Sequence, residues 1–169
     1  MLSKEQIIEC LKQLGEALDS EGYQGEILLT GGAVMCLVHE ARDATKDIDA
    51  LYEPKSVINN IAAQIAVERD LPENWLNDGV KGFMSADAEV ENYMNLKGLQ
   101  VQAVTTEYLL AMKLMSARYG EKDYDDVKFL FNKLGIVKAG QAFEILERYF
   151  PVNRILPKTM YLVEELLGE

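Results

Sequence analysis

Two aspartates separated by one apolar residue are the first feature of this sequence that could do chemistry. Asp47 and Asp49 flank Ile48 in a run of β-compatible residues that ends at Tyr52. In a strand, residues two apart point to the same face, so both carboxylates would stand together while Ile48 enters the core. Paired carboxylates are hard oxygen ligands of the kind that Mg²⁺ takes in proteins. The spacing predicts a metal site on a strand over residues 47–52.

A Gly-Gly pair lies fifteen residues before these aspartates. The pattern around Gly31 and Gly32 predicts a strand over residues 26–30, a glycine turn and a helix over residues 32–39. Glycine permits unusual backbone angles and the close approach of a ligand, and a helix N-terminus offers unpaired N–H groups to a phosphate. A tight strand-to-helix connection would need the same two glycines. The nearby aspartates favour a site for a magnesium nucleotide, in which the metal neutralises phosphate charge.

Together the two motifs resemble the signature of the nucleotidyltransferase superfamily that includes DNA polymerase β. The finer pattern combines residues 30–33 (Thr-Gly-Gly-Ala) with residues 42–49 (Arg-x-x-Thr-x-Asp-Ile-Asp). It is similar to the AbiEii-type toxin nucleotidyltransferases and to a related bacterial nucleotidyltransferase family of unassigned function. Residues 71–78 (Leu-Pro-x-x-Trp-Leu-Asn-Asp) also resemble this second family.

The resemblance implies that the chain binds a nucleoside triphosphate (NTP) with Mg²⁺ and transfers a nucleoside monophosphate to an acceptor hydroxyl. Asp47 and Asp49 would hold the metal and act in catalysis. The implied cofactor-binding residues are Thr30, Gly31, Gly32, Ala33 and Thr45. By analogy with AbiEii-type enzymes, the acceptor would be an RNA 3′ end or a partner protein, in a toxin–antitoxin system.

Lys113 is the only charged residue between positions 108 and 117. A lysine in so apolar a stretch is partly desolvated, which is costly without an anion nearby. It could contact a phosphate, reach the surface along its own stem, or pair with Asp126. The resemblance favours the phosphate and implies catalytic roles for Lys113 and Asp126, because AbiEii-type enzymes carry such a lysine before a basic-Asp-x-x-Asp run, here residues 122–126. Asp123 would cap a helix.

The sequence departs from the superfamily at the third carboxylate. Many superfamily enzymes carry this acid on a later strand, where the chain has Gln100 and Gln102, which cannot take a proton at neutral pH. Glu89 or Glu91 could replace it if the strand register allows. The alternative function is therefore a non-catalytic module of the same fold that binds a nucleotide or a partner.

Composition limits the remaining function classes. The chain of 169 residues is 49% apolar and 27% charged, as is typical of a soluble globular protein. A net charge of −11 without a Lys/Arg cluster argues against extended nucleic-acid binding. The sequence has neither a membrane-length apolar run nor a signal-peptide pattern. Cys10 and Cys36 fit buried free thiols, so we expect a cytoplasmic location and no membrane contact.

The periodicity predicts an α+β protein with the small mixed sheet of the nucleotidyltransferase fold, flanking helices and a C-terminal helical tail. We expect an α/β core over residues 1–104 and a helical part over 105–169, packed on the core as one compact unit. A hairpin is predicted from strands 90–96 and 99–104. Residues 72–78 fit a short helical turn whose Trp75 either lines the nucleotide base or packs. Further helices are predicted from about residue 4 to 20, from 54, from about 105 to 119, from near 123, and over roughly 138–149 and 157–167.

Overall fold

The computed structural model describes residues 1–117 and 122–169. It confirms the α+β class and the mixed sheet. The predicted helix break at Gly120 and Glu121 lies outside the described residues. In chain order the elements are β1 (Leu2–Ser3), α1 (Lys4–Ser20), β2 (Gly25–Leu29), α2 (Gly31–Leu37), β3 (Ala44–Thr45), β4 (Ile48–Glu53), α3 (Lys55–Arg69), β5 (Leu76–Asn77), a 3₁₀ turn (Gly79–Phe83), β6 (Val90–Leu96), β7 (Leu99–Val104), α4 (Thr106–Ser116), α5 (Lys122–Leu134), α6 (Ala139–Tyr149), a 3₁₀ turn (Val152–Arg154) and α7 (Pro157–Leu167).

The chain divides into two compact units. The first consists of residues 1–82 and 90–104, and the second of residues 83–89 and 105–169. The sheet belongs to the first unit, and helices α4 to α7 belong to the second. No helix in the described part of the chain is long and apolar enough to cross a lipid bilayer.

The main sheet has five strands in the order β5-β4-β2-β7-β6. β2 is antiparallel to β4 and parallel to β7, so the sheet is mixed as predicted. β6 and β7 form the predicted antiparallel hairpin, and the short β5 adds to β4 in parallel. β1 and β3 form a separate two-stranded pair.

One face of the sheet is the core of the first unit. Ile27 and Leu29 on β2 are almost completely buried, as is Val101 on β7. Helix α1 begins with a capping box between Ser3 and Gln6 and contacts this face, together with α3. The buried positions of α1 recur at helical spacing and are Ile7, Cys10, Leu11, Leu14, Gly15 and Leu18.

The opposite face, which we name the Asp49 face, carries the candidate site. On β2, β4 and β7 most of its side chains are polar or half-exposed where those of the core face are buried, because neighbours along a strand alternate between faces. By strand register it consists of Asn77 on β5, of Asp49, Leu51 and Glu53 on β4, of Glu26 and Leu28 on β2, of Gln100, Gln102 and the buried Val104 on β7, and of Val90, Asn92 and Asn95 on β6.

Two glycines bring helix α1 against the turn of the β6–β7 hairpin. A methyl group placed on Gly15 would lie 2.5 Å from the carbonyl oxygen of Lys97. One placed on Gly98, whose φ is +75°, would lie 2.1 Å from the carbonyl oxygen of Gly15. Both distances are shorter than any van der Waals contact, and the atoms met are backbone atoms. Helix and turn can therefore touch only because both positions lack a side chain.

The prediction of a helical turn over residues 72–78 is wrong. Trp75 is fully buried, and its indole N–H donates to the carbonyl of Ala62 at 2.9 Å. Leu76 and Asn77 then pair with β4. A buried aromatic anchor and strand pairing outweigh the local helix-start pattern, as tertiary contacts often do. Trp75 therefore packs and does not line a base.

Two helix ends were also predicted too late. α2 ends at Leu37, before the predicted end at residue 39, and α4 ends at Ser116, before residue 119. Ala117 has an extended backbone with φ −56° and ψ 134°, which stops the i to i−4 hydrogen bonding of α4.

Candidate functional site

The glycine turn is fastened to β4 by a threonine. Thr30 follows β2, is fully buried, and directs both its backbone N–H and its hydroxyl to the carbonyl of Asp49, at 3.0 and 2.9 Å. Gly31 then takes a φ of +54°, the left-handed conformation that favours glycine. The chain enters α2 at this point, with Ala33 fully buried. Thr30 thus fixes the distance between the turn and the Asp49 backbone.

The second glycine allows another close contact. A methyl group on Gly32 would lie 2.5 Å from the hydroxyl oxygen of Thr45 and 3.4 Å from a guanidinium nitrogen of Arg42. The Thr45 hydroxyl donates to the carbonyl of Asp47 at 3.2 Å, and the residue is only 5% exposed. Both predicted threonines therefore connect the turn region to the aspartate-bearing segment.

The carboxylate of Asp49 stands directly beside the turn. A methyl group on Gly31 would lie 3.5 Å from Asp49 Oδ2, so a side chain at this position would be in van der Waals contact with the carboxylate. Asp49 is half-buried, and Ile48 before it is fully buried. The predicted alternation of faces is confirmed at these two residues.

Asp47 lies just outside the strand. β4 begins at Ile48, whose N–H donates to the carbonyl of Trp75 at 2.7 Å, so the predicted boundaries 47–52 become 48–53. Asp47 is half-buried, as Asp49 is. β4 begins where β5 is available to pair with it, and the sequence did not predict β5.

A magnesium ion could take its protein ligands from Asp47 and Asp49. In the described part of the chain, no three His, Cys, Asp or Glu side chains are grouped to hold a metal ion. Mg²⁺ usually keeps several waters and binds one or two carboxylates together with substrate phosphates. Two aspartates, one of them beside a glycine turn, are a suitable donor set of this kind.

The strand register decides the position of Glu91. Glu91 pairs with Ala103, which pairs in turn with Leu29 on the core side of the sheet. Directly paired residues point to the same face, so Glu91 does not share the face of Asp49. Gln102 does share it. Glu91 therefore cannot replace the third carboxylate on this face.

Lys113 and Asp126 lie together in the second unit. The ammonium of Lys113 is 2.8 Å from Asp123 and 2.9 Å from Asp126. The side chains of Lys113 and Asp126 are 11% and 5% exposed, so this ion pair joins α4 to α5 in a nearly dry setting. Of the three alternatives for Lys113, the structure contains the salt bridge to Asp126. The contact of Lys113 with a phosphate stays a prediction.

No family model, curated protein or solved structure matches this chain.

Arg42 was missed among the predicted site residues. Its guanidinium lies beside Gly32, and the Asp49 carboxylate lies beside Gly31, so both charged groups are at the same turn. The only signal in the sequence was its place in the Arg-x-x-Thr-x-Asp pattern. A cation beside the turn suits an anionic ligand, because guanidinium groups bind phosphate oxygens in a bidentate manner.

A pocket of about 320 Å³ lies on the α1 side of Arg42. Its lining includes Lys4, Glu5, Glu40, Arg42 and Asp43. Lys4 and Glu40 form an ion pair that lowers the pKa of the Glu40 carboxyl. With three acids against two bases, this pocket is a poor place for a triphosphate.

β5 brings a second missed residue next to Asp49. Asn77 pairs with Asp49 across β4 and β5, and its amide oxygen accepts the N–H of Gly79 at 3.1 Å. Asp78 beside it forms an ion pair with Lys55, and this hydrogen bond lowers the pKa of the Asp78 carboxyl. Asn77 therefore holds the end of β5 in place, and Asp78 already has a cationic partner.

Proposed function

We propose that this chain binds a magnesium nucleoside triphosphate in its first unit and transfers the nucleoside monophosphate to an acceptor hydroxyl. Gly31 and Gly32 would take the phosphates, and Asp47 and Asp49 the metal. The acceptor would be an RNA 3′ end or a hydroxyl of a partner protein. A toxin–antitoxin role and a cytoplasmic location rest on the sequence resemblance and composition, and both stay predictions.

The observation that carries this proposal is the position of the Asp49 carboxylate beside Gly31, 3.5 Å from where a methyl group on that glycine would lie. Gly31 has a left-handed backbone and no side chain, so no side chain of its own would stand between the turn and a metal-bound phosphate. Arg42, beside Gly32, supplies positive charge at the same turn.

In the transfer, the acceptor oxygen would attack the α-phosphorus as the bond to the bridging oxygen breaks. Pyrophosphate leaves with the bond electrons, and the acceptor proton passes to water. Bound Mg²⁺ would neutralise charge on the phosphates. The residues around the turn contribute mainly by positioning and by electrostatic stabilisation, which dominate phosphoryl-transfer catalysis.

The alternative is a non-catalytic module that binds the nucleotide or a partner. It is favoured by Gln100 and Gln102, two uncharged residues on the strand where the superfamily resemblance implies a third carboxylate. A nucleotide-binding module would share the binding step with the enzyme and differ only in turnover, whereas a partner-binding module would not bind the nucleotide.

Thermal unfolding with Mg²⁺ and each of the four NTPs tests the binding. A ligand of the folded state adds RT ln(1 + [L]/Kd) of stability, about 2.7 kcal/mol at a hundredfold excess. We expect Mg²⁺–NTP to raise the Tm by several degrees and Asp47→Asn/Asp49→Asn to abolish the shift.

The matched control is Asp43→Asn/Asp87→Asn, which removes the same charge at two exposed positions. It should keep the full shift. A wild-type protein that shows no shift with any NTP at millimolar Mg²⁺ would refute the proposal. Incubation with α-labelled NTP and RNA or protein then separates the candidates, because only the enzyme transfers label.

A further inference from the structure

Two rows of side chains cross the Asp49 face from β4 to β6. The row one pleat away from Asp49 consists of Leu51, Leu28, Gln102 and Asn92, in that order. The next row consists of Glu53, Glu26, Gln100 and Asn95. Each row ends in two carboxamides on the hairpin. They differ on β4 and β2, where the first row is apolar and the second is acidic.

A β-bulge places the amides of β6 on this face. Tyr93 is left unpaired between Asn92, which opposes Gln102, and Met94, which opposes Val101. Asn92 and Asn95 are three residues apart, so a regular strand would direct them to opposite faces. The extra residue at the bulge directs both to the Asp49 face. Bulges of this kind change the direction of side chains, and this one places two β6 amides instead of one on the Asp49 face beside β7.

The first row has the character of a small-molecule subsite. Leu28 and Leu51 oppose each other and are half-exposed, which provides an apolar floor. Among the residues that the structure describes, the amides of Gln102 and Asn92 form no side-chain hydrogen bond. Each offers a donor and an acceptor, so they fit an uncharged, flat ligand with a polar edge. Asparagine and glutamine amides recognise nucleobase edges in this manner.

The distance of the first row from Asp49, and the charge of the second row, both favour the first row as the place for a ligand whose phosphates lie at the turn. Strands lie about 4.8 Å apart and a pleat spans about 6.7 Å, so Gln102 stands roughly 12 Å from Asp49. This is comparable to the reach of a nucleotide from its phosphates to its base. In the second row, Glu26 and Glu53 oppose each other directly and would repel a ligand that carries phosphates.

We infer that the base of the NTP lies over Leu28 and Leu51 and is hydrogen-bonded by Gln102 and Asn92. The inference rests on the proposed function and adds the recognition of the base to it. Gln102 then has a use of its own, since its amide offers both a donor and an acceptor to the edge of the base.

The test compares the binding of each Mg²⁺–NTP with that of magnesium tripolyphosphate, which has no base. Gln102→Met and Asn92→Leu should each weaken binding of the preferred NTP about 3- to 10-fold, the range for one lost uncharged hydrogen bond. Preference among the four NTPs should shrink, and affinity for tripolyphosphate should stay unchanged. The control variants Gln100→Met and Asn95→Leu, from the acidic row, should leave all affinities unchanged.

Equal NTP affinities for wild type and both Gln102→Met and Asn92→Leu would overturn the inference while leaving the proposed function intact. The inference would also be overturned if Gln102→Met and Asn92→Leu weakened tripolyphosphate binding as much as NTP binding, or if Gln100→Met and Asn95→Leu weakened NTP binding as much as they do. A change confined to the KM for an RNA acceptor would overturn it as well. If wild type binds neither NTP nor tripolyphosphate, the proposed function itself fails. Thermal melts of the four variants check that each is folded.

Discussion

Lys113 carries a buried positive charge between two negative ones, and its contribution to stability can be measured. Removing one partner of a buried ion pair leaves the other charge desolvated. Lys113→Met should therefore lower the free energy of unfolding by about 3 kcal/mol, in guanidinium titrations. The Asp126 carboxylate would be destabilised more, because its side chain is only 5% exposed, whereas Asp123 is more exposed and can be hydrated.

Lys113→Met/Asp126→Leu is the matching double variant. It removes both buried charges, so it should recover part of the loss and show a coupling energy between the two positions. If Lys113→Met is as stable as wild type, the pair contributes nothing, and a role for Lys113 away from these carboxylates becomes the better explanation.

At the scale of elements, β2 and β4 place two carboxylates directly opposite each other. Glu26 and Glu53 are a cross-strand pair, and both are exposed. Like charges in this arrangement destabilise a sheet, so Glu26→Gln should raise the free energy of unfolding by a few tenths of a kcal/mol. The control is Glu16→Gln on α1, with the same change of net charge. Equal gains from both variants would attribute the effect to net charge alone.

Elements with a strong local signal were the ones that the sequence predicted well. Helix α1 has a capping box and a regular apolar stripe, and the hairpin has alternating residues around Lys97 and Gly98, so both agree with the structure. Periodicity could not indicate β5, because two residues carry no period. Its pairing with β4 depends on burial of Trp75, a tertiary event.

The candidate site was predicted in part for the same reason. The glycines and aspartates are short local motifs, and the position of Asp49 beside Gly31 follows from β2 and β4 being neighbours. Arg42 approaches Gly32 through a loop whose path no pattern specifies. The amides of Asn92 and Asn95 share a face only because of the bulge at Tyr93, which the alternation in the sequence conceals.

For the molecule as a whole, two buried thiols affect stability at alkaline pH. Burial raises the pKa of both Cys10 and Cys36 above the ordinary value of 9.0. The folded state therefore holds these protons more tightly than the unfolded chain. The resulting stability is complete below pH 9.0 and is lost as the pH rises through the folded-state pKa values.

Denaturation midpoints between about pH 8 and about pH 10.5 measure this loss. Cys10→Ala/Cys36→Ala should start from lower stability because of lost packing, and should decline less steeply with pH. Lysines and tyrosines titrate in both proteins and cancel in the difference. Parallel declines in the two proteins would show that the thiols take no part.

The backbone contact between Gly15 and Gly98 restricts how this chain can change over generations. Each position excludes a side chain because of the main chain around the other, so replacing the partner residue relieves nothing. No pair of compensating substitutions can therefore replace the two glycines. A side chain at either position would be accommodated only after α1 had moved away from the hairpin turn.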